Sequence, residues 1–483
     1  SVHRLVQAVL QDFLSPEERR LWAEKAILAV NAAFPPAEYE TWPQCERLLA
    51  QALFATQSIE QDQVRGEEAR RLLHETATYL HARARYAEAE PRYLRALHIW
   101  EQLGPEYPDA ARSLNNLAHL YREQGKYAEA EPLYQRVLHI REQQLGPEHP
   151  DVARSLNNLA ILYREQGKYA EAEPRYQRAL HILEQQLEPE HPDLVHPLNN
   201  LANLYRAQGK YEQAEPLLQR ALAIQEQSLG PDHPQVASPL NGLASLYYYQ
   251  GKYTEAEPLY QRALHIWEQQ LGPDHPQVAY PLNGLALVYS GQSRYTEAEP
   301  LYQRALHIWE QLGSEHPLVA YPLNNLADLY YYQDRYAEAE PLYQRALHIW
   351  EQQWGPEYHE VSQPLKGLAN LYREQGKYTE AEPLYQRALA ICEQKLGLEH
   401  SDTAEIIHYL ARLREAQGNH EEAESLYNRA LAIREQVLGA HHPWTMQTSA
   451  RLITLLREKG RYEEAARLET ALAEQGASKE EGN

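Results

Sequence analysis

Arginine and tyrosine side chains recur at regular intervals along this sequence, in two series of positions. Both residue types are suited to binding ligands. Guanidinium groups attract carboxylate or phosphate partners, whereas tyrosine rings give rigid contact area with a polar tip. We expect these side chains to line one binding surface, although such residues are also common on solvated helix exteriors. The first position holds Arg112, Arg154, His196, Ser238, Tyr280, Tyr321 and Gln363; the second holds Arg122, Arg164, Arg206, Tyr248, Ser290, Tyr331 and Arg373, with Tyr249 and Tyr332 extending its aromatic part.

A ladder of asparagines lies three residues after members of the first series: Asn115, Asn157, Asn199, Asn241, Asn283 and Asn324. Asparagine is a poor helix former, so its recurrence inside a helix indicates a use for the amide, unless duplication simply copied it. A neighbouring set is expected to bond between units: Asn116, Asn158, Asn200 and Asn325. Gly242, Gly284 and Gly367 replace that neighbour, at about 1 kcal/mol each, and are expected to open room over the tyrosines.

Catalytic and metal-binding patterns do not emerge from the sequence. Five histidines share one slot, but they lie at least one unit apart and form no H-E-x-x-H motif: His139, His181, His265, His307 and His348. Neither a nucleophile–base pair nor a phosphate-binding G-x-x-x-x-G-K-[ST] or G-x-G-x-x-G motif is present. We therefore predict a chain that is not an enzyme and that needs no cofactor or metal.

These candidate residues are carried by a repeat of 41 or 42 residues, marked by an aromatic residue after a turn. A fixed period of this size is typical of solenoids, in which each unit buries its apolar face against its neighbours. The marker positions are Tyr86, Tyr127, Tyr169, Tyr211, Tyr253, Tyr295, Tyr336, Tyr378, His420 and Tyr462.

Each unit is predicted to contain two helices. In residues 151–187, apolar side chains at 156, 159, 160 and 163 follow helical spacing, and Gly167 ends that helix in the left-handed conformation. A second stripe begins at Ala172, and Pro174 is expected in the first turn of the second helix. The fold class is therefore predicted to be all-α, a right-handed superhelical solenoid of antiparallel helix pairs.

Three regions are predicted along the chain. Residues 1–64, which hold all three phenylalanines, read as helices Val2–Leu14, Ser15 to about Ala33, and about Ala37–Ile59. Residues 65–475 hold ten repeats, and residues 476–483 form a disordered tail. The chain begins in mid-pattern at Ser1, which indicates a fragment of a longer protein.

The composition narrows the function classes. The formal net charge of −22 argues against nucleic acid as a partner, and no run of about 20 apolar residues suggests a membrane span. Cys45 and Cys392 make no disulfide framework, as expected for buried or indifferent thiols in a reducing cytoplasm.

The repeat resembles the tetratricopeptide repeat, and its length and three strings resemble the kinesin light chain version. Those strings are Asn-Asn-Leu-Ala-x-Leu-Tyr at 157–163, Ala-Glu-Pro at 172–174 and Gly-Pro-Glu-His-Pro at 146–150. The resemblance implies that the arginine and tyrosine face lines a concave groove and that the asparagine amides grip a ligand backbone.

The front region resembles the junction between the winged-helix part and the repeat sensor of bacterial STAND (NB-ARC-type) signalling ATPases. The residues that carry this likeness are His3-Arg4-Leu5-Val6-Gln7, Trp22-Ala23 and Trp42-Pro43. The resemblance implies a cytoplasmic sensor that binds a peptide, protein or small anionic inducer and relieves autoinhibition of an upstream NTPase module. The alternative is a stand-alone adaptor that binds acidic peptide motifs, and an enzyme with a site between repeats is a remote third reading.

Overall fold

The structure is a computed structural model, and it describes residues 15–61, 64, 66–102, 108–440 and 442–470. The predicted helix Val2–Leu14 and the predicted tail 476–483 lie outside these residues. The chain divides into two compact units, Ser1–Ser155 and Leu156–Asn483, and each is described by itself.

The first unit opens with a helical hairpin. Helix α1 (Pro16–Ala33) starts at Ser15, whose hydroxyl accepts from the Glu18 N–H while the Glu18 carboxylate accepts from the Ser15 N–H, a capping box. The predicted start of this helix is therefore confirmed. The next helix was expected from about Ala37, but a 3-10 turn (Tyr39–Thr41) comes first and α2 runs Trp42–Gln61.

Helix pairs follow, and we number them as repeats 1 to 10. The first helices are α3 (Glu67–Ala82), α5 (Pro108–Glu123), α7 (Pro150–Glu165), α9 (Val195–Ala207), α11 (Ala237–Tyr249), α13 (Ala279–Gly291), α15 (Ala320–Tyr332), α17 (Ser362–Glu374), α19 (Ser401–Ala416) and α21 (Pro443–Glu458). The second helices are α4 (Tyr86–Glu101), α6 (Tyr127–Leu145), α8 (Tyr169–Gln186), α10 (Tyr211–Leu229), α12 (Tyr253–Leu271), α14 (Tyr295–Glu310), α16 (Tyr336–Trp354), α18 (Tyr378–Lys395) and α20 (His420–Leu438), with residues 462–470 as α22.

The predicted fold class is confirmed: the described residues form helices in tandem pairs and contain no strand. The predicted stripes are the core. Leu159 and Ala160 of α7 and Ala172 and Ala179 of α8 are buried, and the small alanines let the two helix backbones approach closely.

The proline prediction was wrong by one turn. Helix α8 begins at Tyr169, so Pro174 lies in the second turn, as do its equivalents in the other second helices. At that depth a backbone N–H would bond the carbonyl of Ala170, and proline removes that bond. The helix starts immediately after the Gly-Lys turn, which the apolar stripe beginning at Ala172 did not reveal.

Histidines in the loops between repeats cap the following helices, a role that the sequence analysis missed. The Nδ1 atom of His191 accepts from the N–H of Asp193, at 3.2 Å, where the 3-10 turn Pro192–Leu194 leads into α9. His233, His275, His316, His400 and His442 cap in the same way. A His-Pro dipeptide occurs at each of these histidines except His400, which precedes Ser401, and it is the signal that could have predicted the caps.

Candidate ligand-binding groove

The asparagine ladder occupies one face of successive first helices in the second unit, and we call this face the groove. Counting on by the repeat length from Asn324 leads to Lys366 and His408 at the same slot. The groove slot therefore contains Asn157, Asn199, Asn241, Asn283, Asn324, Lys366 and His408.

Two of the groove asparagines are satisfied by the next repeat. The Nδ2 of Asn200 donates to Oδ1 of Asn157 at 3.0 Å, and the Nδ2 of Asn325 donates to Oδ1 of Asn283 at 3.0 Å. The predicted role of Asn200 and Asn325 in hydrogen bonding between successive repeats is confirmed. The donor always lies one residue after the groove slot of the following repeat.

Three other groove asparagines lack this donor. Within the described residues, the buried Oδ1 atoms of Asn199, Asn241 and Asn324 have no hydrogen-bond partner. In each case the following repeat carries glycine where the donating asparagine would be. The glycines that correspond to these three orphans, in order, are Gly242, Gly284 and Gly367. Loss of one amide thus leaves an acceptor unsatisfied in the repeat before it.

Two of these glycines also make room for a ring, although for different tyrosines than expected. A Cβ atom at Gly284 would overlap the ring of Tyr260, and one at Gly367 would overlap the ring of Tyr343. Both rings come from second helices and not from the groove tyrosines. At Gly242 the nearest atom is a methyl of Leu218, 3.1 Å away, so this glycine is not required by packing.

The middle of the groove holds an aromatic cluster. The ring of Tyr248 lies 5.4 Å from that of Tyr249 and 5.8 Å from that of Tyr253, and the Arg206 guanidinium lies 4.6 Å from the Tyr249 ring. Burial, reinforced by the neighbouring tyrosine hydroxyls, raises the pKa of Tyr248 well above its ordinary value. Tyr248 therefore stays neutral and can donate one hydrogen bond.

A second aromatic pair lies at repeat 7. Tyr331 and Tyr332 have ring centroids 5.4 Å apart, and the Tyr331 hydroxyl accepts from Arg373 and donates to Glu374, each at 3.2 Å. Tyr332 is 56% exposed, and the nearby Tyr409 hydroxyl raises the pKa of Tyr332. Tyr332 is therefore the most accessible of the predicted groove tyrosines.

Tyr280 and Tyr321 pack against tryptophans of the second helices. Their rings lie 5.1 Å from Trp309 and Trp350 respectively, in edge-to-face geometry, and the Tyr321 hydroxyl donates to Glu360 at 3.2 Å. The indole N–H of Trp309 in turn donates to the carbonyl of Pro276, at 3.1 Å. Tyr280 and Tyr321 thus contact tryptophans of the second helices, and Trp309 in turn bonds the connection between repeats 5 and 6.

Charged side chains that the sequence analysis did not identify fill the groove at repeats 7–9. The Lys366 ammonium is 3.0 Å from Glu405, and the Tyr343 hydroxyl donates to Asp328 at 2.5 Å. Burial opposes the charge of Lys366, but the carboxylates of Glu405 and Asp328 outweigh it and raise its pKa. Burial raises the pKa of Asp328 despite these partners. Following the slots one repeat further would have revealed Lys366 and Glu405.

The remaining predicted arginines are less enclosed. Arg164 lies 3.9 Å from Glu165 in the second unit. In the first unit, Arg112 is exposed and Arg154 pairs with Asp151 at 3.0 Å. The Arg122 guanidinium lies 2.9 Å from Nε2 of His119. These three arginines belong to the first unit, whereas the groove is defined on the second.

Glu123 is the most perturbed carboxyl of the first unit. Its two oxygens lie 2.8 Å from Nε2 of His119 and 2.7 Å from Nε2 of His81. Burial alone would raise its pKa, but these histidine hydrogen bonds outweigh burial and hold the pKa well below its ordinary value. Within the described residues, no group of three His, Cys, Asp or Glu side chains is arranged to hold a metal ion.

The groove is therefore a polar surface that mixes unsatisfied amide oxygens, tyrosine hydroxyls and paired charges.

The two cysteines are buried and free. In the part of the chain that the structure describes, no helix is long and apolar enough to span a bilayer.

The tetratricopeptide repeat description matches eight segments that together extend over most of the chain. They are residues 68–143, 109–185, 193–264, 236–311, 281–352, 318–394, 360–436 and 402–473. The chain belongs to the tetratricopeptide repeat family. This family indicates protein binding as the function class, and the match identifies no catalytic family.

Several solved structures are similar to this tetratricopeptide array, whereas a comparison with curated proteins gives no match. TPR-like repeats of a Podosopora anserina protein named as a kinesin light chain are 29% identical, covering 43% of this chain and 98% of that one, with a TM-score of 0.36. BtubC (BKLC) from P. vanneervenii is 25% identical over 47% of this chain and 89% of that one, with a TM-score of 0.37. A Rap protein complexed with Competence and Sporulation Factor is 17% identical over 76% and 99%, with a TM-score of 0.47.

Proposed function

We propose that the groove of repeats 3–9 binds an extended peptide segment of an inducer or partner protein. The observation that carries this proposal is the set of orphaned acceptors, the Oδ1 atoms of Asn199, Asn241 and Asn324. A buried acceptor without a donor costs about 1–3 kcal/mol, so these amides would be stabilised by N–H partners from a ligand. An extended peptide presents backbone N–H groups at regular intervals along its length.

The tyrosines complete such a site. Tyr332 is exposed and Tyr248 keeps its hydroxyl proton, so both offer ring contact together with hydrogen bonding. Arg206 lies beside this aromatic cluster and gives the early groove a positive charge suited to an acidic side chain. The preferred ligand is accordingly an acidic peptide that carries at least one aromatic or apolar anchor.

Replacing two groove asparagines separately tests the proposal. Asn241→Leu removes an orphaned acceptor, so stability should rise by about 1 kcal/mol while affinity for peptides selected from a random library falls. Asn283→Leu is the matched control, because it instead destroys a satisfied bond to Asn325 and should lower stability. A selected peptide that binds Asn241→Leu as tightly as the wild type contradicts the proposal.

At the level of the whole protein, the proposed role is the inducer sensor of a STAND signalling ATPase. Peptide binding would change the contact between the array and an upstream nucleotide-binding module and so relieve autoinhibition. The junction-like residues 3–7, 22–23 and 42–43 support this role. Sequencing the reading frame upstream of Ser1 tests it: a phosphate-loop module supports the proposal, and its absence removes it.

The second candidate is a stand-alone adaptor that holds peptide motifs of partner proteins. The same orphaned acceptors favour it, because they require a ligand but no nucleotide module. The two candidates share the groove and differ in the output. A peptide that changes nucleotide hydrolysis by the full-length protein supports the sensor, whereas peptide binding without any such change supports the adaptor.

A further inference from the structure

Two sets of connections that are far apart in the sequence contact each other within the second unit. The turns between the two helices of repeats 3, 4 and 5 lie against the loops that join repeat 8 to 9 and repeat 9 to 10. A Cβ atom on Gly167 would be 2.7 Å from the Lys395 carbonyl oxygen, and one on Gly209 would overlap the Val437 carbonyl oxygen. We call this contact the seam.

Polar and aromatic contacts fasten the seam. The Nε2 of His400 is 2.9 Å from the Tyr169 hydroxyl, and the Nε2 of His442 is 2.6 Å from the Tyr249 carbonyl oxygen. The Tyr249 ring also lies 6.3 Å from that of Trp444. The structure thus joins repeats about five apart at several points.

The bonding pattern fixes the proton on both seam histidines. In each ring, Nδ1 accepts from the backbone N–H two residues on, Asp402 for His400 and Trp444 for His442. Nε2 therefore carries the hydrogen and donates across the seam. One imidazole serves as a helix cap and as a seam donor at the same time, which only the neutral form can do.

The equivalent turns of repeats 8, 9 and 10 show that the seam is not a property of the turn itself. Gly376, Gly418 and Gly460 have φ values of +73°, +77° and +74°, close to the +70° of Gly209. Nothing lies within 4 Å of a Cβ built on any of these three. A residue with positive φ is common to the turns of all ten repeats. The close approach occurs at the glycines of repeats 3–5 and not at those of repeats 8–10.

The seam limits access to the groove. Because helices in each pair are antiparallel, the turns within repeats form one margin of the groove and the loops between repeats form the opposite margin. The seam joins a residue of one margin to a residue of the other, as at Tyr169 and His400. A chain cannot pass sideways into the groove at repeats 3–5 while these contacts hold.

We propose that the seam is a gate, which parts to admit a polymer chain to the groove and closes to the form seen here. This gate serves the peptide site proposed above, but its operation can be measured without any peptide. Opening requires breaking a small number of contacts between repeats, which is the kind of local event that native proteins undergo without unfolding.

Thiol labelling inside the groove tests the gate. Tyr332→Cys places a thiol at an exposed groove position, while the native Cys45 and Cys392 are buried and the pKa of Cys392 is raised to about 12 by burial. Labelling rates are compared for a small maleimide and for a polymer-linked maleimide. Adding Gly209→Ala, which forces the seam apart at Val437, should raise the polymer-linked rate severalfold and leave the small-reagent rate unchanged.

Gly376→Ala is the matched control, since it places a side chain on the same left-handed backbone without touching the seam. It should change neither rate, and equal effects of the two alanines would overturn the proposal. Tyr169→Phe provides a second variant that removes only the bond to His400, with Tyr378→Phe as its control. Tyr169→Phe should give a smaller increase in the polymer-linked rate, and no increase in either seam variant would overturn the gate while leaving peptide binding to be judged separately.

Discussion

Repeats 3–6 and repeats 7–9 use the same helix pair but place different chemistry in the groove. The early slots hold amides, from Asn157 to Asn283. The later part keeps one amide, the orphaned Asn324, and adds the ion pair of Lys366 with Glu405 and the carboxyl of Asp328. The charged groups find partners within the array, but two of the four early amides do not. One residue beside each slot, asparagine or glycine, decides whether an early amide is satisfied internally or remains for a ligand.

Removing the ion pair of repeats 7–9 should have the largest effect on the free energy of unfolding. Lys366→Met leaves the carboxylates of Glu405 and Asp328 without their cation, so the free energy of unfolding should fall by about 3 kcal/mol. Lys377→Met is the control, because Lys377 is exposed and its ammonium lies over the face of Tyr372. Chemical denaturation measures both, and equal losses would mean that the ion pair does not stabilise repeats 7–9.

Alanine substitutions at two glycines beside the groove slots should change the stability of the array in opposite directions. Gly284→Ala drives a methyl into the Tyr260 ring and should destabilise the array by about 1–3 kcal/mol. Gly242→Ala meets only a flexible Leu218 methyl and should stabilise it by up to about 1 kcal/mol through helix propensity. Thermal denaturation of the two variants compares them directly, and the same sign for both would contradict the packing described here.

Acid should loosen the seam that encloses both parts of the groove. Burial and then Arg434 lower the pKa of His442 below its ordinary value of 6.5, although the Tyr249 carbonyl opposes them. The seam-open and unfolded forms therefore bind more protons than the closed form as pH falls below about 6.5, and seam stability decreases from there toward the lowered pKa.

Hydrogen exchange at the amides of residues 395–400, 437–440 and 442 measures this effect between about pH 7.5 and about pH 5.5, after correction for intrinsic exchange. Protection should decrease on acidification in the wild type and change less in His442→Gln. His348→Gln, at an exposed histidine outside the seam, is the control and should behave as the wild type. If His442→Gln lost as much protection on acidification as the wild type, the acid sensitivity would have to come from a group other than His442.

Much of the fold could be predicted because it repeats. The 42-residue spacing located the turns at Gly167 and its equivalents, and the inter-repeat bonds of Asn200 and Asn325 followed from their position beside the slot. The seam could not be predicted in this way. It depends on a small rotation per repeat that accumulates over about five repeats, and no local pattern records that sum.

The residue types on the groove face could be read from the sequence, but their hydrogen-bond and charge partners could not. Helical spacing was enough to place single positions such as Asn241 and Tyr248 on the first helix of their repeat. Whether Asn241 is satisfied depends on Gly284 in the next repeat, and the partners of Lys366 come from the repeats before and after it. Pairwise relations across repeats, rather than residue types, were the missing information.

The central claim is that a glycine beside the slot leaves the preceding amide for a ligand, and exchanging glycine and asparagine tests it most directly. Gly242→Asn supplies a donor to Asn199, in the manner of Asn200 to Asn157, and the nearby Leu218 methyl can move. Asn325→Gly makes the reverse change and frees the acceptor of Asn283.

Calorimetric titration with a peptide selected by the wild-type array measures both variants. Gly242→Asn should weaken binding about tenfold, equivalent to about 1.4 kcal/mol, while raising stability. Asn325→Gly should lower stability and leave affinity equal or higher. Unchanged affinity in a Gly242→Asn variant that is more stable than the wild type would contradict the account.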